Sequence, residues 1–157
     1  MKLAELKAEI LQKKSFLCVG LDIDLDKVPV RFKNSPTALV DFSKEIIDAT
    51  APYAVAYKPN IAFFETYGVE GMAALKEVID YLNAHYPKHF TIADAKRGDI
   101  GNTSTRYAKA YFDTLGFDSI TVAPYMGKDS VEPFLAFEEK YTILLALTSN
   151  PGAVDFQ

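Results

Sequence analysis

The sequence predicts an α/β fold built on a parallel sheet, and three observations predict it. Short apolar runs alternate with segments of helical period along all 157 residues. Strands separated by helices require right-handed crossovers, which lay consecutive strands parallel. The polar residues gather where the apolar runs end, at Asp22, Lys58, Asp94, Lys96 and Ser149. That is the layout of a site at the C-terminal mouth of a barrel. An open doubly wound sheet also places ligands at strand ends, and periodicity alone leaves both folds open. No glycine-rich dinucleotide loop follows the first strand, which argues against a Rossmann domain.

The elements follow in order. Leu3, Leu6 and Ile10 stand at helical spacing with lysines between them, giving a short amphipathic helix. Phe16 to Leu21 reads as a buried strand ending at Asp22. Ser35-Pro36 reads as a cap followed by proline at the first helical position. Leu39, Phe42 and Ile46 form that helix's apolar face, and Pro52 closes it. Ala54 to Tyr57 is a second strand, ending at Lys58-Pro59. The next helix carries Met72, Leu75, Val78, Ile79 and Leu82 on one side. Phe90 to Ala95 is the third strand. A helix capped by Asn102 or Thr103 runs to Leu115 and stops at Gly116. Ser119 to Val122 is the fourth strand, Lys128-Asp129-Ser130 starts a helix around Val131, Phe134 and Leu135, and Thr142 to Leu147 is the fifth strand.

Composition narrows the function. The net charge is -4, from 17 basic and 21 acidic residues, so no electrostatic case exists for nucleic acid or an anionic membrane as partner. One cysteine, Cys18, excludes an internal disulfide and is expected in the core. With no apolar leader, it fits a reducing cytoplasm, where the Asn102-Thr103-Ser104 sequon has no meaning. No apolar run approaches the length of a membrane span. His85 and His89 flank a turn at Pro87 and are expected at the surface, with no metal constellation around them. Tyr107, Tyr111 and Phe112 are expected to pack a helix, and Arg97-Gly98-Asp99 is read as a turn and not as an integrin ligand.

The chemistry concentrates in Thr91–Thr103. Residues two apart in a strand share a face, so Asp94 and Lys96 project together while Ala93 and Ala95 lie under the helices. Opposite charges about 4 Å apart, at an effective dielectric near 20, attract by about 4 kcal/mol, offset by desolvation. Lys58 approaches the same ring from the neighbouring strand, and Asp99 follows on a turn opened by Gly98. A generic DxKxxD is most often a solvated charge cluster. Here it follows a strand, precedes a helix and faces a lysine at the previous strand's end.

The motif Asp94-x-Lys96-x-x-Asp99-Ile100 resembles that of the orotidine 5'-monophosphate decarboxylases. Gly20-Leu21-Asp22, Tyr57-Lys58-Pro59-Asn60 and Thr148-Ser149-Asn150-Pro151-Gly152 are similar to that family's first, second and fifth strand ends, the last as in its longer bacterial-type members. The resemblance implies the N-terminal part, about five strands, of a TIM (β/α)8 barrel, with residues 1–157 as one partial domain. It implies that Lys96 protonates C6 of the pyrimidine after carbon dioxide leaves, that Asp94 faces the departing carboxylate, and that Lys58 bonds the ribose and completes the array. It further implies that Asp99 acts across a homodimer interface accompanied by Thr103, that Asp22 contacts a ribose hydroxyl, and that Ser149 lies against the base. No cofactor and no metal are implied.

A complete barrel has eight strands and typically about 250 residues. The resemblance therefore implies a missing C-terminal half carrying the phosphate-gripping arginine and the lid, and a chain that is inactive alone. Two rivals stand beside this reading. Related magnesium-dependent sugar-phosphate decarboxylases or aldolases share the barrel and a similar DxKxxD, but place an acidic residue near Lys58. The other rival is a catalytically silent fragment serving in assembly.

Overall fold

The computed structural model describes residues 1–33 and 35–157. Its strands are β1 (Leu17–Leu21), β2 (Ala54–Pro59), β3 (Phe90–Arg97), β4 (Ser119–Val122) and β5 (Tyr141–Leu144). Its helices are α1 (Leu3–Lys13), α2 (Ala38–Thr50), α3 (Ile61–Glu65), α4 (Gly68–His85), α5 (Gly101–Lys109) and α6 (Lys128–Leu135). All neighbouring strands are parallel, in the order β1-β2-β3-β4-β5. A doubly wound sheet reverses its strand order at a switch point. There is no reversal here: each strand adds beside its predecessor, as in a barrel wall.

The core lies between this wall and the helices outside it. Tyr57, Phe64, Phe117 and Phe134 are its largest fully buried side chains. Helix α4 turns Leu75, Val78, Ile79 and Leu82 inward, the face its periodicity predicts. Tyr111 and Phe112 are buried as expected, in a wider-wound turn (Ala110–Thr114) that continues α5 and ends before Gly116 at φ 83°. The N-terminal ends of β3 and β4 are joined by polar bonds. Asp118 accepts the Thr91 N–H at 2.9 Å and the Thr91 hydroxyl at 3.0 Å, and the same hydroxyl accepts the Asp118 N–H at 2.9 Å.

Several expectations are corrected. Cys18 is exposed, because among the described residues β1 has only β2 as a strand neighbour and most of the strand is open to solvent. His89 is buried: its Nε2 lies 2.9 Å from Lys13 Nζ and 3.0 Å from the Ala51 carbonyl. Lys13 also donates to the carbonyls of Ala51 and Ala54 at 2.9 and 2.8 Å, so α1 is fastened over the start of β2. His85 is exposed. Ser35 organises the turn before α2 instead of capping the helix, and Thr37 takes the cap position. Helix α5 starts behind Ile100, not behind Asn102 or Thr103. Strand β5 ends at Leu144, and Leu147 beyond it is 80% exposed. The five-residue α3, anchored by buried Ile61 and Phe64, was not foreseen. Among the described residues no helix is long and apolar enough to cross a membrane.

Burial sets a contrast that denaturation can read. Leu75 is 0% exposed and Leu11 is 77% exposed. Leu75→Ala is expected to lower stability by about 2–5 kcal/mol through lost transfer energy and a residual cavity. Leu11→Ala should stay within about 0.5 kcal/mol of the parent in the same urea titration.

Candidate active site

Strands β2 and β3 run side by side, with Tyr57 opposite Thr91, and Asn60 bridges to Asp94 beyond the regular pairing. This brings three charged side chains together at the C-terminal ends. Lys58 Nζ donates to Asp94 Oδ2 at 2.8 Å, and Lys96 Nζ donates to Asp94 Oδ1 at 2.6 Å. The Asp94 side chain is 12% exposed, whereas that of Lys96 is 52% exposed. One carboxylate thus holds an ammonium on each oxygen, with the outer one open to solvent.

Burial works against the Asp94 carboxylate, yet hydrogen bonds and charge from Lys58 and Lys96 hold its pKa below the usual range. Burial likewise opposes the Lys58 charge, but the bond to Asp94 and the charges of Asp94 and Asp22 lift its pKa above that of a free lysine. Both groups therefore keep their charge at neutral pH.

The backbone under this array is not a regular strand. Ala93 pairs with Ile120 and Arg97 with Val122, so four steps along β3 face two along β4. The surplus bulges out, and Lys96 sits at φ 49°, a left-handed conformation that few non-glycine residues adopt. Asp94 and Lys96 still share a side, and Ala93 and Ala95 are buried behind them. Gly98 ends the bulge; a Cβ there would stand 2.5 Å from the Ala123 carbonyl oxygen.

The other residues named from the sequence follow the C-terminal ends of β1, β3 and β5. Asp22, at the end of β1, accepts a hydrogen bond from Asn60 Nδ2 at 3.1 Å. Asn60, in the Tyr57–Asn60 segment and given no role from the sequence, thus links the end of β2 to the ends of β1 and β3. Asp99 lies on the turn after β3, where its Oδ1 accepts the Ile100 N–H at 2.7 Å. Buried Ser104, also missed, accepts the Asp99 N–H at 3.1 Å and donates to the Ser130 carbonyl at 2.7 Å, which anchors that turn to α6. Thr103 is exposed on the first turn of α5, and Ser149 is exposed beyond β5. Among the described residues Asp99, Thr103 and Ser149 make no hydrogen bond to the Lys58–Asp94–Lys96 cluster. Arg97 is engaged elsewhere: it donates to the Ala95 carbonyl at 2.7 Å, pairs with Glu65 and lies over the rings of Tyr107 and Tyr111. No group of three or more His, Cys, Asp or Glu side chains that could hold a metal ion occurs among the described residues.

The array can stabilise negative charge developing beside Lys96 and deliver a proton to it. Its linkage to pH has a definite sign. A carboxyl whose pKa is depressed on folding contributes stability above its unfolded pKa, and loses it as pH falls through the folded value. The Asp94 carboxyl carbon, followed by NMR, is expected to titrate below the usual carboxylate range. Lys58→Met should move that midpoint upward, and an unmoved midpoint would show that Lys58 does not hold the charge.

Comparison with known proteins agrees with this geometry. The profile of the orotidine 5'-phosphate decarboxylase / HUMPS family matches residues 15–157. The chain is 68% identical over 153 residues to the orotidine 5'-phosphate decarboxylase of Christiangramia forsetii, covering 98% of this chain and 56% of that protein. It is 64% identical over 157 residues to the enzyme of the same name from Flavobacterium johnsoniae, covering 100% of this chain and 58% of that protein. The structure of Leishmania donovani OMP decarboxylase superposes with a TM-score of 0.85 at 42% identity, covering 100% of this chain and 58% of that one. The chain thus spans a little over half the length of these relatives, and its sheet is a partial (β/α) barrel. On sequence and structure together, the chain belongs to the orotidine 5'-phosphate decarboxylase / HUMPS family.

Proposed function

We propose that this chain carries the acid–base half of a barrel that decarboxylates orotidine 5'-monophosphate to uridine 5'-monophosphate in pyrimidine biosynthesis. The observation that carries the reading is the Lys58–Asp94–Lys96 array at the ends of adjacent parallel strands. Kinship with relatives named as that decarboxylase supports it.

In this reading the bond between C6 and the carboxyl carbon breaks and carbon dioxide departs. The electron pair stays on C6 and takes a proton from Lys96 Nζ, leaving a neutral amine that solvent reprotonates. Asp94 faces the departing carboxylate and keeps both ammonium groups in place before charge develops, so little reorganisation is needed in the transition state. Lys58 bonds the ribose, Asp22 takes a ribose hydroxyl and Ser149 lies against the base. The phosphate is held by the remainder of the barrel, and its binding contributes to orientation remote from the reacting atoms. The protein works in the cytoplasm as a homodimer, with Asp99 and Thr103 reaching the partner's site.

The rival is a magnesium-dependent sugar-phosphate enzyme of the same barrel. Lys58 argues against it by standing where those enzymes place an acid. Loss of turnover on chelation, restored by magnesium, would favour the rival.

In the complete barrel, Lys96→Ala is expected to nearly abolish kcat while changing product affinity far less, because its charge acts mainly in the transition state. Equal losses in both would mark Lys96 as a binding residue only. Mixed dimers of Asp99→Ala with Lys96→Ala are expected to recover activity through one intact composite site. Verified mixed dimers with no recovery would remove Asp99 from the partner's site.

A further inference from the structure

We infer that Thr121 is a positioning residue for Lys96: its hydroxyl holds the bulged, left-handed backbone from which Lys96 reaches Asp94. The inference deepens the decarboxylase reading and rests on it for the chemical role of Lys96.

Thr121 lies on β4 and is 6% exposed. Its Oγ1 accepts the Ala95 N–H at 3.0 Å and the Lys96 N–H at 2.9 Å. It lies 3.2 Å from Asp94 Oδ1 and 3.4 Å from the Ala93 carbonyl oxygen. A hydroxyl offers two lone pairs and one proton. Both lone pairs are taken by the N–H groups, and the proton goes to the carboxylate, the nearer and charged acceptor. One side chain thus satisfies two consecutive backbone donors on the bulged stretch, and also touches the carboxylate that grips Lys96.

The geometry makes this role specific. The two bonded amides are those immediately before and at the residue with φ 49°. On the same peptide stretch, Arg97 takes the Ala95 carbonyl at 2.7 Å. The loop is therefore held at its N–H groups by Thr121 and at a carbonyl by Arg97, and only Thr121 also bonds Asp94. With valine at 121 the shape is nearly kept, but two sheltered N–H groups lose their acceptor. The backbone would relax toward an ordinary strand, and the Lys96 ammonium would shift relative to the reacting carbon. Misplacement by about an ångström costs on the order of a hundredfold in rate.

The test compares Thr121→Val and Thr121→Ser in the complete barrel. Thr121→Val is expected to lower kcat about a hundredfold, with uridine 5'-monophosphate affinity within about threefold of the parent. Amide hydrogen exchange at Ala95 and Lys96 should quicken at least about tenfold, while buried Val78 and Ile79 on α4 keep their parent rates. Thr121→Ser, which keeps the hydroxyl, should restore both readouts. Should Thr121→Val fail to fold, Thr121→Cys, of similar size and a weak acceptor, is expected to give the same pattern. Unchanged kcat, equal losses of kcat and product affinity, or no rescue by serine would overturn the inference. A parent barrel that does not decarboxylate orotidine 5'-monophosphate would instead overturn the proposed function. Exchange at Ala95 and Lys96 would then still decide whether Thr121 holds the loop, with parent-like rates in Thr121→Val refuting it.

Discussion

The mouth of this sheet is organised around a sheltered carboxylate that cannot be left without counter-charges. Asp94 is largely withdrawn from water, and an unpaired carboxylate there would carry a desolvation penalty of several kcal/mol. Lys58 and Lys96 supply one ammonium to each oxygen. It is met where β2 lies next to β3, with alanine buried on the opposite side of β3 at 93 and 95 and extra backbone between Ala93 and Arg97. Removing either lysine would leave charge without an adequate partner. The array is therefore a poor source of net stability and a good source of geometric definition.

Around the array, Asn60, Ser104 and Arg97 tie one element to the next. Asn60 ties the end of β2 to Asp22 at the end of β1. Ser104 ties the Asp99 turn to α6. Arg97, for all its charge, faces Glu65 and two tyrosine rings and so braces the outer layer. The electrostatic centre is thus carried by three side chains, while Asn60, Ser104 and Arg97 add bonds around it without adding a free charge.

Much of this was legible in the sequence, for physical reasons. Strand β4 was read to the residue because Ser119–Val122 is a short run between a helix stop at Gly116 and a turn. The inward face of α4 was read because a helix of 18 residues gives its period room to show. The side shared by Asp94 and Lys96 was read from a period of two, although the backbone reaches that result through a bulge that the period does not describe. Helix α3 was missed because five residues are too few for a period. Cys18 and His89 were misplaced because burial depends on neighbours distant in sequence: among the described residues β1 lacks a second strand partner, and Lys13 reaches across to His89. Thr121 gave no signal, since threonine is an ordinary strand residue and its bonding partners lie 25 and 26 residues away.

The strictly consecutive strand order also bears on how the chain assembles. Each strand after β1 pairs with the strand made just before it, with only one helical connection, of one or two α-helices, between them. The loops that must close are therefore short, and their entropic cost is met one unit at a time. A polypeptide leaving the ribosome from its N-terminus can add each new strand to an edge that is already formed. Until the next strand arrives, that edge presents unpaired N–H and C=O groups, first on β2, then on β3 and β4 in turn. Assembly is thus a moving front: one adhesive edge is carried forward on the newest strand and covered by the next, while the outer edge of β1 stays open from the first pairing onward.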